Sequence, residues 1–137
     1  MTSKPLYPEI DPKDYLDLAK ALSSKTDYAS LRSAVDRAYY AAFLTCRDTL
    51  ASKHYLTPKY DYQDHKDVPE GLKNLKVLGS CGNDEFRLRR TRNRITYDTR
   101  PLTPGQKNPD DVFSVPLIVT TAENIIKSIQ SLPENSM

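Results

Sequence analysis

The sequence predicts an all-α protein, an antiparallel bundle of four to five helices. Apolar residues recur at intervals of three and four along several segments, and prolines and polar residues separate those segments. The run FSVPLIVTT, residues 113–121, is rich in β-branched residues, but it continues into a helical period and not into strand alternation. A chain of 137 residues has room for one core, so we expect a single domain over 1–137, with an extended leader at 1–10 and a tail at 133–137.

The first two helices have clear start signals. Asp11 followed by Pro12 is a typical N-cap and first helical residue, which predicts a helix over Pro12–Ser24. Asp27 is a candidate cap for the segment DYASLRSAVDRAYYAAFLTCRDTLASK, in which Leu31, Val35, Ala38 and further apolar residues form one stripe. This segment predicts the longest helix.

The second half of the chain has less regular signals. The polar connector HYLTPKYDYQDHKDVP, residues 54–69, predicts mobility, followed by a short helix over Pro69–Leu78 that Gly79 ends. The tract SCGN, residues 80–83, then predicts a turn. Asn83 is expected to cap a helix that carries Asp84 and Glu85 in its first turn and reaches about Asp98, where Pro101 and Pro104 stop it. A last helix is predicted over Ser114–Leu132; its isoleucine-rich face is typical of a core stripe or of an intersubunit surface.

Composition excludes several classes of protein. Twenty basic and 18 acidic residues give a net charge of +2, so any nucleic-acid binding must depend on local clustering of charge. The two cysteines have no spacing that indicates a zinc site or a disulfide framework, which favours a reducing cytoplasm. No apolar segment approaches the roughly 20 residues of a membrane helix. The sequence also has no glycine-rich phosphate loop and no metal-ligand cluster, so we expect neither a cofactor nor a metal.

The most unusual feature is a cluster of five arginines between Arg87 and Arg94, within the stretch RLRRTRNRITYD. On a helix, Arg89 and Arg92 share one face, whereas Arg90, Arg94 and Tyr97 share another. Like charges at this density repel one another, so the helix requires an anionic partner. That partner is either acidic side chains of the same fold, a second subunit, or phosphates.

Three segments together resemble the HEPN domain family. RNRITYD, residues 92–98, resembles the Arg-Asn-x-x-x-His region of HEPN domains, and more closely the variant Arg-Asn-Lys-Ala-Asp-Tyr-Asp of small stand-alone members. DRAYYAAFLTCRDTLA, residues 36–51, resembles their Ser-Arg-Ala-Tyr-Tyr-Ala-x-Phe helix, and His65 stands where they often carry a histidine. The resemblance covers about half of the chain, in the order and on the helices expected for the family.

The resemblance implies an antiparallel helical bundle that forms a homodimer, often encoded beside a minimal nucleotidyltransferase partner in toxin–antitoxin or defence systems. Many HEPN proteins are metal-independent ribonucleases whose motif arginine and histidine meet their two-fold mates in a cleft at the dimer interface. By this resemblance Arg92 matches the motif arginine, Asn93 the polar residue after it, and Tyr97 stands in place of the histidine. Tyrosine, with an ordinary pKa of about 10, is a poor general base near neutrality.

Further residues are candidates for the same site. Arg89, Arg90, Arg94 and Arg37 are candidates for binding RNA, and Asp36, Tyr40 and His65 for supporting roles. Asp36 and Arg37 either orient Arg92 through a charge-assisted hydrogen bond or form a plain surface ion pair. Of the neighbours Tyr39 and Tyr40, we expect one in the core and the other beside the arginine helix.

The dimer expectation also has a geometric argument. Arg92 and Tyr97 lie roughly 140° apart around a helix, so a compact pair is easier to assemble across two chains. The leading interpretation is therefore a HEPN-type dimer that binds RNA or a partner protein through a cleft around Arg92, Asn93 and Tyr97, with nuclease activity weak or lost. The alternatives are an active metal-independent endoribonuclease, in which Tyr97 or His65 serves proton transfer, and the accessory subunit of a nucleotidyltransferase.

Overall fold

The computed structural model describes residue 4 and residues 6–97 and 114–132, and within these ranges the chain contains helices and no strand. The all-α prediction is thereby confirmed. A 3₁₀ turn, Lys76–Leu78, joins the third helix to the fourth. The five helices are α1 Pro12–Ser23, α2 Tyr28–Ser52, α3 Asp64–Asn74, α4 Gly79–Tyr97 and α5 Val115–Gln130.

The predicted caps of α1 and α2 are confirmed. The Asp11 carboxylate accepts a hydrogen bond from the Lys13 backbone N–H at 3.0 Å, and Asp27 accepts one from the Ser30 N–H at 2.9 Å. Each bond satisfies a backbone donor that has no partner inside the helix. These local contacts explain why both starts were readable from sequence.

Helix α2 lies at the centre of the bundle and contacts each of the other four helices. It runs antiparallel to α4, because Arg32 near its start donates to the Ile95 carbonyl, whereas Tyr39 further along faces residues nearer the start of α4. The isoleucine face of α5 is buried against this core within the same chain, which excludes the intersubunit surface considered for it; the buried members are Ile118, Ile125, Ile126 and Ile129.

The connector between α2 and α3 is more ordered than predicted. Helix α3 begins at Asp64, five residues before the expected start at Pro69. The Asp64 carboxylate is 1% exposed and accepts hydrogen bonds from the backbone N–H groups of Lys59, at 2.9 Å, and Tyr60, at 2.8 Å. The expectation of an irregular connector up to Pro69 was therefore wrong, since its last part is helical and a buried carboxylate holds the backbone at residues 59 and 60.

Proline inside α3 creates the contact that ties α3 to α4. Pro69 has no N–H, so the carbonyl four residues earlier, that of His65, lacks its helical donor. The Arg89 guanidinium of α4 supplies a donor to that carbonyl at 3.4 Å. One residue of the arginine cluster is thus engaged by the backbone of a neighbouring helix.

The predicted turn at residues 80–83 is wrong, because the tract lies inside α4, which starts at Gly79. Gly79 therefore begins a helix and does not end one, and Asn83 is an internal residue and not a cap. Gly82 explains the difference: a Cβ atom there would lie 2.8 Å from the Pro69 carbonyl oxygen. The absence of a side chain at Gly82 lets α4 approach α3 closely. From sequence alone, a glycine that serves a close helix contact cannot be told from a glycine in a turn.

Parts of the predictions fall outside the described residues. These are the end of the arginine helix at Asp98, the stop at Pro101 and Pro104, and the tail at 133–137. Across the part of the chain that the structure describes, no helix has both the length and the apolar character needed to cross a membrane.

Candidate functional site

Arg92 is the centre of the site, and its guanidinium group is held by the protein itself. Nε donates to Asp36 Oδ1, Nη1 to Asn93 Oδ1 and Nη2 to the Tyr40 hydroxyl, each at 2.8 Å. The Arg92 side chain is only 12% exposed. Three of the five N–H groups of the Arg92 guanidinium thus donate hydrogen bonds to other residues of the same chain. We refer to Asp36, Tyr40, Arg92, Asn93 and Tyr97 as the arginine–tyrosine cluster.

Aromatic rings enclose the same guanidinium. Its Cζ lies 5.6 Å from the ring centre of Tyr39, 5.0 Å from that of Tyr40 and 5.5 Å from that of Tyr97. The sequence favoured an Arg92–Tyr97 pair across two chains, but the two side chains already meet within one chain, because the long arginine side chain spans the angle between them. Tyr97 is nevertheless 72% exposed, so its ring contacts Arg92 and still presents a large part of its surface to solvent.

Two other predictions about this region are confirmed. Tyr39 is fully buried, whereas Tyr40 reaches Arg92, as expected for neighbouring tyrosines on one helix. Asp36 does orient Arg92 through a charge-assisted hydrogen bond. Arg37 does not join them: its guanidinium lies 5.6 Å from the ring centre of Tyr15, on the side of the bundle formed by α1.

His65 is brought to the edge of the cluster by the start of α3. Its Nδ1 shares a hydrogen bond of 2.6 Å with the Tyr39 hydroxyl, and its ring stacks on Phe43 with centres 4.1 Å apart. Burial lowers the pKa of His65, and the nearby charges of Arg89 and Arg92 lower it further. The imidazole is therefore neutral near pH 7.

Beneath the cluster lies a buried carboxyl group that the sequence did not reveal. Glu85 is fully buried, and among the described residues neither of its carboxyl oxygens has a hydrogen-bond partner. Burial raises its pKa to about 8, although the Tyr39 hydroxyl and the charges of Arg89 and Lys73 oppose that rise. Glu85 is accordingly protonated at neutral pH.

Sequence reasoning placed Glu85 in the exposed first turn of a helix, as a favourable charge at its N-terminus. Because α4 in fact starts at Gly79, six residues before Glu85, Glu85 lies in the interior of the helix. The signal that could have located it is its spacing from Cys81 and Leu88, which are both buried on the same face. A helix continuing through the glycine tract puts all three toward the core.

The remaining arginines lie around α4 in different settings. Arg89 faces α3 and His65, as described above. Arg90 and Arg94 project about 140–180° away from Glu85 around the helix, on its outer side. The Arg90 guanidinium lies 5.9 Å from the ring centre of Phe86, which is 44% exposed. Phe86 was not predicted as a site residue, since a lone aromatic residue on a helix carries no signal.

Within the described ranges, no group of three or more His, Cys, Asp or Glu side chains could hold a metal ion. Cys46 and Cys81 are both free thiols and both buried, and burial raises the pKa of Cys46. Comparison with known protein families, with curated proteins and with solved structures found no match to this chain. The geometry of the site is therefore the basis for inferring function.

Proposed function

We propose that this protein is an RNA-binding module of the HEPN type, with nuclease chemistry weak or lost. The observation that carries the proposal is the state of Arg92, which is bonded to Asp36, Asn93 and Tyr40 and is 12% exposed. An arginine that grips a reacting phosphate presents paired N–H groups outward. Here a phosphate would first have to displace Asp36 from a contact of 2.8 Å. Arg92 therefore shapes the surface and does not act on the scissile bond.

Charge favours RNA as the partner. Helix α4 carries five arginines against two acids, Asp84 and Glu85, and Glu85 is protonated at neutral pH. A surface of this sign attracts the phosphates of a nucleic acid, and the exposed ring of Tyr97 offers a face on which an unpaired base can stack. A partner protein is the competing interpretation, and absence of RNA binding in the experiment below would leave it in place of RNA.

The biological setting is part of the same proposal. We place the protein in the cytoplasm as a homodimer, in a toxin–antitoxin or defence-like system with a minimal nucleotidyltransferase partner. The two free cysteines support a reducing compartment. Bound RNA would offset the repulsion between arginines that a two-fold axis beside α4 brings together. The family setting itself is supported by the sequence resemblance.

The first experiment measures binding of labelled single-stranded RNA of about 20 nucleotides by fluorescence anisotropy at several salt concentrations. Wild type is expected to bind with an affinity that falls as salt rises. The variant R90Q/R94Q should bind more weakly. Its plot of the logarithm of the binding constant against the logarithm of the salt concentration should have a slope smaller in magnitude by about 2, because two phosphate contacts are lost. The charge-matched control K13Q/K25Q, on α1 and the loop after it, should behave as wild type. Absence of RNA binding, or equal effects of both variants, would contradict the proposal.

An active metal-independent ribonuclease is a second candidate, and the setting of His65 favours it. The neutral imidazole beside Arg89 and Arg92 could accept the proton of a ribose 2′-hydroxyl. That oxygen would attack the adjacent phosphorus and the bond to the 5′-oxygen would break, the 5′-oxygen taking up a proton. Incubating RNA with wild type, H65Q and R92K in excess chelator tests this. Cleavage by wild type that H65Q abolishes would establish the ribonuclease; intact RNA throughout agrees with the binding module.

A further inference from the structure

One face of α4 combines exposed aromatic rings with positive charge. Phe86, Arg90, Asn93 and Tyr97 follow one another at intervals of four, three and four residues, so they form a continuous stripe on the outer side of the helix. Phe86 is 44% exposed and Tyr97 is 72% exposed. The two rings lie about 16 Å apart along the helix axis. We call these four residues the outer stripe.

Each ring of the outer stripe has a cation beside it. Lys73 Nζ lies 5.5 Å and Arg90 Cζ 5.9 Å from the ring centre of Phe86, and Arg92 Cζ lies 5.5 Å from that of Tyr97. Such an arrangement positions positive charge next to any group stacked on the ring. A base stacked on Phe86 carries its own phosphate nearby, and Lys73 and Arg90 are placed to contact it. Arg92 stays bonded to Asp36, Asn93 and Tyr40 and serves only to support the ring of Tyr97.

The charges decide which partner fits this face. A second copy of the chain docked directly over the stripe would set its own arginines against Arg90 and Arg94, so in the proposed homodimer the two-fold axis lies beside the stripe and leaves it open. An apolar protein surface would remove water from the cations beside Phe86, which costs free energy. A single-stranded nucleic acid matches both features of the stripe: its phosphates match the positive charges, and its unpaired bases can stack on the exposed rings. Duplex RNA presents phosphates but keeps its base faces stacked inside the helix.

We infer that the outer stripe binds single-stranded RNA, with unpaired bases stacked on Phe86 and Tyr97 and the phosphate beside Phe86 held by Lys73 and Arg90. The inference rests on the proposed RNA-binding function and specifies its substrate class. The span between the rings corresponds to about five nucleotide steps at a stacked spacing of about 3.4 Å, and to fewer in an extended strand. Recognition is by stacking and charge, so it tolerates different sequences.

The test compares one labelled RNA as a single strand and as a duplex with its complement, using wild type, F86L and Y28L. F86L keeps an apolar side chain on an exposed helical position but removes the aromatic face, whereas Tyr28 is a control aromatic residue at the start of α2 that is more exposed than Phe86, at 82% against 44%. F86L should weaken single-strand binding by about five-fold or more and leave duplex binding within about two-fold. Y28L should change neither affinity, and F86Y should bind the single strand as wild type does.

The outcomes separate this inference from the function on which it rests. If wild type binds RNA but F86L and Y28L are indistinguishable, or if duplex and single strand bind equally, the outer stripe is not a stacking surface and the inference is overturned alone. If wild type binds neither form of RNA, both proposals fail. Circular dichroism of F86L confirms that any loss of binding occurs in a folded protein.

Discussion

Replacing Glu85 with glutamine removes a titrating group from the core while keeping its shape. The pKa of Glu85 is raised to about 8 in the folded chain, against an ordinary value of 4.5. The folded state thus holds this proton more tightly than the unfolded state does. Stability contributed by the protonated group is fully present below pH 4.5 and is lost progressively as pH rises to about 8, because only the unfolded chain is free to ionise in that window.

The size of the effect follows from the two pKa values. Each pH unit inside the window costs about 1.4 kcal/mol of unfolding free energy. Between about pH 5 and pH 7.5, and allowing for incomplete titration at both ends, wild type should lose about 3 kcal/mol from this group. E85Q has no proton to release, so its stability should lack this decline. The difference in unfolding free energy between E85Q and wild type should therefore grow by about 3 kcal/mol over that range.

The assay is urea denaturation followed by circular dichroism at several pH values from about 5 to 7.5. E70Q is the matched control, because Glu70 lies on α3 with an exposed side chain. It should follow the wild-type curve. A constant difference between E85Q and wild type across the range would refute the reasoning, since it would mean that Glu85 is ionised in the folded protein. An ionised Glu85 would also lower the net positive charge of α4, which would weaken the argument that this helix attracts RNA.

Three further substitutions test other contacts. G82A should destabilise the protein by about 1–3 kcal/mol in urea denaturation, because the added Cβ meets the Pro69 carbonyl oxygen at 2.8 Å. H54G should stabilise it by up to about 1 kcal/mol in the same assay, since His54, two residues after the end of α2, has a φ of 67°, a conformation that glycine adopts without strain. R89Q should raise the pKa of His65, measured by NMR titration, because a nearby positive charge that opposes protonation is removed.

Each of these has a matched control. G79A also adds a methyl group to α4 but meets no atom within 4 Å, so it should leave stability unchanged or raise it. H54A retains a Cβ and should give none of the gain of H54G. R87Q removes a charge that lies by Asp84 on the exposed part of α4, and it should leave the His65 titration unchanged. Equal effects within any pair would remove the explanation offered for it.

Local signals in the sequence determined much of this fold. The helical period, with Asp11 and Asp27 as caps, located α1 and α2 to within a residue or two, since a cap acts on backbone groups two or three residues away. The sequence also predicted that one of Tyr39 and Tyr40 would be buried and the other would lie beside the arginine helix, and it offered the Asp36–Arg92 bond as one of two alternatives. These predictions follow from the resemblance and from the 100° step of a helix.

What the sequence left undecided depends on residues brought together from distant parts of the chain. Gly82 looked like a turn, because nothing nearby in sequence shows that it faces the Pro69 carbonyl. Glu85 looked like an exposed acid, and only its enclosure by α2 and α3 makes it a neutral core residue. Arg92 looked available to phosphate until its partners on α2 were known. A glycine's neighbours, a carboxyl group's ionisation and an arginine's accessibility are set by burial and by contacts across helices, and those exist only in the tertiary structure.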